Sequence, residues 1–254
     1  MKSFLKGKTV LIIILFVAFF FNTNVIISQS KTFDVNPFDK VIISPHIEVV
    51  FKSGDKEAVI IESMTESIEK INVEVKGTTL QVYLDDAKTV TKSKKDDYNT
   101  NYKNSIYSGT VVNATVIYKK VKTFSLRGEE RFDFESPIDS KKLTLNIYGE
   151  SQVYMDEVTL QDLKVVIYGE SYLKIKKGNI VNQKITSYGE SKVNTLEADN
   201  KSTKVTAYGD GSFQFNVSEN LKIVSYGEPT VTYKGEASLE NGLSIGEVEI
   251  VKIN

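Results

Sequence analysis

Seven acidic residues recur at a near-regular interval: Glu129, Glu150, Glu170, Glu190, Asp210, Glu228 and Glu247, each directly after a glycine. Carboxylates held in a row at strand spacing could do three kinds of chemistry. They could splay into solvent and accept hydrogen bonds from nearby amides and hydroxyls. They could hold a column of cations, because Ca²⁺ takes carboxylate and carbonyl oxygens. With the tyrosines beside them they could form a surface that recognises sugars or a protein partner. The enzymatic form of that surface is a retaining glycosidase, whose two carboxyls stand about 5 Å apart. Such a mechanism needs one carboxyl made unlike its neighbour, and a row of equivalent sites does the reverse. Neighbours about 5 Å apart also repel by roughly 0.8 kcal/mol in bulk water.

The tyrosines are Tyr148, Tyr168, Tyr188, Tyr208 and Tyr226, each directly before a glycine. Together with Glu150, Glu170 and Glu190 they are the candidate binding residues. Ring stacking alone would also account for the tyrosine row. Other chemistry has little material. His46 is the only histidine and there is no cysteine. A zinc site of the usual kind lacks ligands, and a Ser-His-Asp or Cys-His nucleophile would have to use His46. That residue follows a proline in SPHIEV, which suits a turn or surface histidine. No catalytic residue, metal or cofactor is expected.

What must position these side chains is a repeat. Gly128, Gly149, Gly169, Gly189, Gly209, Gly227 and Gly246 are separated by 21, 20, 20, 20, 18 and 19 residues. A period near twenty is the signature of a stacked-repeat architecture. Four residues before the glycine stand Phe124, Leu145, Val165, Ile185, Val205 and Ile223; four after it stand Phe132, Val153, Leu173, Val193, Phe213 and Val231. Apolar and polar positions alternate around them, which is the period of a strand. Each turn therefore reads as strand, glycine corner, strand and polar return, and stacking the turns buries ladders that one turn could not bury alone. Positive φ at the corner is the expected reason for glycine. A serine after it, as in the thrice-written YGES, is expected to bond a neighbouring backbone amide. The residue two before the glycine drifts from Leu126, Ile147 and Ile167 to Ser187, Ala207 and Ser225, so the interior is expected to narrow.

The fold class is all-β, a parallel β-helix-like solenoid of about 20 residues per turn over 111–254, preceded by a β-rich part over 33–86. In that part SGDKE (53–57) and KGTT (76–79) read as hairpin turns, and MTESIEKI (64–71) has room for one helical turn. Residues 87–110 are polar and read as an exposed loop. The whole of 33–254 is taken as a single domain.

Residues 1–28 have the layout of a secretory signal peptide: Lys2, Lys6 and Lys8, then an apolar run from Val10 to Phe21, then polar residues. A run of twelve rises only about 18 Å as a helix, short of a bilayer. An uncleaved anchor extended through Val25–Ile27 is the alternative. Cleavage would leave 29 basic against 33 acidic residues, a poor balance for nucleic acid or an anionic membrane.

The opening pattern FDKVIISPHIEVVFKSGD (38–55), the segment VIIESMTESIEKINVEVKGTTLQVYL (59–84) and the glycine-corner repeats after 124 give the chain its resemblance. Over roughly 33–250 it resembles the auto-transporter adhesin head GIN domain family of secreted bacterial proteins. Its corners carry Tyr and Glu where that family's are usually richer in Gly and Ser. The resemblance implies a parallel β-helix-like solenoid and cell-surface adhesion. The expected function is thus an exported, non-enzymatic binding or adhesion protein, in the periplasm, on the outer-membrane surface or outside the cell. Its partner would be a glycan or a cell-surface protein. A carbohydrate-active enzyme on a β-helix and a purely structural envelope protein are the alternatives. Ligand, handedness and oligomeric state are left open.

Overall fold

Alternating side chains make strands, and strands make nearly all of this protein. The computed structural model describes residues 30–95 and 103–254; the expected leader, 1–28, lies outside the described residues. Among the described residues there is no α-helix, and none is therefore long and apolar enough to cross a membrane. The chain forms a β-solenoid of about six turns with roughly 20 residues per turn.

From Ile138 onward each turn supplies three walls. The first precedes the corner: Leu145 pairs with Val165, Val165 with Ile185, Ile185 with Val205 and Val205 with Ile223, all in parallel register and all buried. The second follows the corner and aligns Phe132, Val153, Leu173, Val193, Phe213 and Val231. The third aligns Val158 with Gly178 and Gly178 with Ala198. Each fully buried aliphatic side chain contributes about 1.5–3 kcal/mol, and none could be covered within its own turn. Where the residue before the corner drifts to Ser187, Ala207 and Ser225, the wall after the corner carries the larger Phe213 and Phe215, both fully buried.

The first turn is closed by other strands. Lys40–Ile43 pairs in parallel with both Thr123–Gly128 and Thr79–Leu84. Ile47–Ser53 pairs in parallel with Val112–Tyr118. Antiparallel strands then finish the end: Ile71–Lys76 on Thr79–Leu84, Ala58–Met64 on Val112–Tyr118, and Lys31–Asp34 on Ala58–Met64. One hydrophobic cluster runs from Phe38 to Tyr233.

KGTT is the expected hairpin, with Gly77 at φ 62. SGDKE is not: Val112–Tyr118 lies between the two strands it connects, pairing one in parallel and the other antiparallel. The helical turn in MTESIEKI is a 3-10 turn, Ile68–Lys70, with the Ser67 hydroxyl accepting from the Glu69 amide. The described parts of 87–110 are more ordered than an exposed loop. Ser93–Lys95 pairs antiparallel with Lys103–Ser105, Ala87 and Tyr107 are buried, and Ser44 Oγ donates to the Lys88 carbonyl at 2.6 Å.

Candidate functional site

The corner that presents the candidate residues is built by bonds between turns. Gly169 has φ 76; its N–H donates to the Tyr188 carbonyl at 2.9 Å, and the Glu170 N–H donates to the Gly149 carbonyl at 3.1 Å. Ser171 is fully buried and its hydroxyl lies 2.9 Å from the Gly149 carbonyl and 3.1 Å from the Tyr168 carbonyl. Ser151 and Ser191 reach the carbonyls of Gly128 and Gly169 in the same way. The serine therefore donates to carbonyl oxygens, where an amide partner was expected. The corner amides already donate to the adjoining turn, while a carbonyl oxygen has a second lone pair to offer. All seven corner glycines, Gly128 through Gly246, have positive φ.

The residue before the glycine points outward. The rings of Tyr148, Tyr168, Tyr188, Tyr208 and Tyr226 stack with centroids 5.1, 4.7, 4.9 and 4.9 Å apart and planes within 4–9° of parallel. This spacing is the separation of adjacent strands, so the register imposes the row. Arg127 holds the same place one turn earlier and closes the stack with its guanidinium 5.7 Å from the Tyr148 centroid, a cation–π contact. The rings from Tyr168 to Tyr226 are 37–39% exposed. Because each ring covers its neighbour's face, solvent meets ring edges and phenol hydroxyls.

Glu150, Glu170 and Glu190 stand two residues beyond these tyrosines and are exposed. Among the described residues none of the three has an ion-pair partner, and no group of three acidic or histidine side chains could hold a metal ion. Asp210 accepts from the Glu228 amide at 2.9 Å.

A second acidic group departs from the repeat. Later turns carry Ser151, Ser171 and Ser191 where the earlier one carries Glu130, and Glu130 is 5% exposed. Its Oε2 accepts from the Glu129 amide at 2.9 Å, and its Oε1 lies 4.0 Å from His46 Nδ1. His46 has φ 71. Its Nδ1 lies 2.7 Å from the Gly109 carbonyl and its Nε2 2.7 Å from Thr91 Oγ1. A carbonyl only accepts, so Nδ1 carries a proton. These groups, with Tyr107 and Glu129, line a cleft of about 460 Å³ under the 87–110 segment. His46 is therefore the turn histidine its context suggested, and its ring also clasps that segment to the first turn. The legible signal was an acid, Glu130, at a position that carries Ser151, Ser171, Ser191, Gly211, Pro229 and Val248 in the later turns.

Burial pushes the Glu130 carboxyl above the usual carboxylate range, against the opposing pull of the Glu129 amide and the His46 ring. The folded protein thus holds this proton more tightly than the unfolded chain. The contribution to stability is fullest below the ordinary carboxylate value and is lost as pH rises through the raised one. Glu130→Gln mimics the protonated form. It should raise the melting temperature at pH 7, with the difference shrinking to nothing near about pH 4. A lower melting temperature at pH 7 would show that the charged form is the stabilising one.

With this geometry in view, comparison with known proteins places the chain. Residues 37–237 match the family model described as putative auto-transporter adhesin, head GIN domain. The chain belongs to this family. Solved structures share this β-solenoid fold. A putative adhesin from Bacteroides fragilis superposes with a TM-score of 0.73 at 18% identity, covering 88% of this chain and 96% of that one. A putative lipid binding protein from Parabacteroides distasonis and a putative adhesin from Parabacteroides merdae each give 0.64 at 15% identity, covering 89% and 96%. No curated protein matches the sequence. At these identities the structures speak for the solenoid of the head GIN domain alone.

Proposed function

We propose that this protein is an exported, non-enzymatic binding protein of the adhesion class, and that it engages a glycan of a cell surface on its tyrosine row. The observation that carries this is the row itself: five parallel rings at strand spacing, partly exposed along its length. Membership of an adhesin family supports the class. The stacking also sets the mode of contact. Ring faces are occupied by neighbouring rings, so the row offers a comb of phenol hydroxyls at one period, with Glu150, Glu170 and Glu190 at the same period beside it. Hydroxyls and carboxylates repeating in step suit a polyhydroxylated polymer, since each can both orient and satisfy sugar hydroxyls. Catalysis is disfavoured by the same regularity, because acid–base work needs two carboxyls in unlike surroundings.

The test separates hydroxyls from stacking. Tyr168→Phe with Tyr188→Phe keeps both rings and should change the stability by no more than about 0.5 kcal/mol. Binding to whole cells or to glycan extracted from them should fall at least tenfold. Undiminished binding would remove the tyrosine row as the binding face.

A further inference from the structure

The tyrosine row has a basic counterpart that the proposed adhesive face does not use. Five residues before the corner glycine, successive turns carry Lys164, Lys184, Lys204 and Lys222 in parallel register. The first three are exposed and, among the described residues, none of them is in an ion pair; Lys222 pairs with Glu240. Elsewhere the same solenoid sets an acid one turn away from a lysine, as in Lys176–Asp156 at 2.5 Å, Lys177–Glu157 at 2.8 Å and Lys201–Glu219 at 3.6 Å. The repeat can therefore neutralise a lysine across turns, and in this row it stacks like charge on like charge instead.

Two residues earlier runs a second row, at the bend of the wall: Asp162, Asn182, Ser202 and Asn220, also in register. Its side chains are tied along the axis, Asn182 Nδ2 donating to Asp162 Oδ1 at 3.0 Å and Asn220 Nδ2 to Ser202 Oγ at 3.4 Å. Between the two rows lies a groove of about 440 Å³ that runs across four turns. One side is cationic; the other begins with the Asp162 carboxylate, tied to Asn182, and continues with the Asn182 and Asn220 amides and the Ser202 hydroxyl.

We infer that this groove is a second binding site, and that its ligand is a linear polyanionic glycan bearing carboxylates or sulfates. The lysine ammoniums would meet the acidic groups, and the Asn–Ser row would meet ring hydroxyls. Charge in line favours a linear polymer over a small anion, because one chain can neutralise several lysines at once. Nucleic acid fits less well. No aromatic or arginine side chain lines the groove, and single strands are held largely by stacking on such groups. This site does not depend on the tyrosine row.

The experiment uses the whole protein at low salt. Probes are polygalacturonate, dextran sulfate, neutral dextran and poly-dT, read by affinity electrophoresis. The expected result is retardation by at least one of the anionic glycans, none by dextran, and little by poly-dT. Lys184→Gln with Lys204→Gln should cut the affinity at least tenfold without lowering the melting temperature, since it removes repulsion. Lys184→Arg with Lys204→Arg should retain it, and added salt should weaken it by screening. The tyrosine-to-phenylalanine variant should bind these probes as well as the wild type, so failure here and failure of the adhesive face are told apart. No retardation by either anionic glycan would overturn the proposal. So would retardation that the glutamine variant leaves intact, or equal affinity for poly-dT, which would mark a row of charge without preference for sugar.

Discussion

Phe124→Ala should cost about 3–5 kcal/mol of stability, the range for removing a large aromatic from a rigid core. Phe124 is fully buried and stands where the closing strands meet the repeat. Its ring lies 5.0 Å from Phe51 and 4.8 Å from Phe134, both edge-on, and 5.9 Å from Tyr118. Above and below, its backbone pairs with Val41 and Leu145. Burial pushes the Tyr118 hydroxyl up to about 12, so this ring stays neutral and the cluster behaves as apolar packing at any ordinary pH. Denaturant melts followed by circular dichroism give the number. A loss under about 1 kcal/mol would show that the four-ring cluster closes over the gap, and that the junction is softer than its packing indicates.

Gly169→Ala should cost about 2–4 kcal/mol, for two reasons that add. A side chain at φ 76 carries about 1–2 kcal/mol of backbone strain. In addition the new Cβ would lie 2.3 Å from the carbonyl oxygen of Gly149, a backbone atom that cannot swing aside, so the adjoining corner must move. Gly77 supplies the control. It has φ 62, but an added Cβ meets nothing within 4 Å. Gly77→Ala should therefore show the conformational cost alone, about 1 kcal/mol. Equal melting temperatures for the two variants would mean that the corners are not nested as closely as the carbonyl distance implies.

The solenoid was legible because its contacts repeat in the sequence. Leu145, Val165, Ile185, Val205 and Ile223 stand at one period and pair at one period, so spacing alone predicts the partner. The same logic reached the glycine corner and the outward tyrosines. Where pairing follows no period, the sequence was silent. Val112–Tyr118 slips between Ile47–Ser53 and Ala58–Met64, and no local pattern distinguishes that from a hairpin through SGDKE. The His46 clasp joins positions 46, 91, 109 and 130, four places whose proximity is a property of the folded chain only. The tyrosine row was read as a candidate binding surface, but whether faces or edges meet solvent depends on ring spacing that exists only after stacking. Lys164, Lys184, Lys204 and Lys222 carry a readable period, but whether a lysine is paired across turns depends on side-chain placement that spacing does not give.

The pairing of Lys40–Ile43 with Thr123–Gly128 closes a much longer loop than any turn of the repeat that follows. That junction joins Asp39 to Lys122, 83 residues apart, whereas neighbouring turns of the repeat join residues 20 apart, as Asn182 does with Asp162. Loop-closure entropy grows by about 0.6 kcal/mol per doubling of length, so the junction begins about 1 kcal/mol behind any later turn. It also has to gather several strands before any of them is covered. Once it stands, each further turn closes a short loop onto a finished template. Folding of this kind is slow to begin and quick to extend, and its rate should depend on the first hundred or so residues far more than on the number of turns that follow.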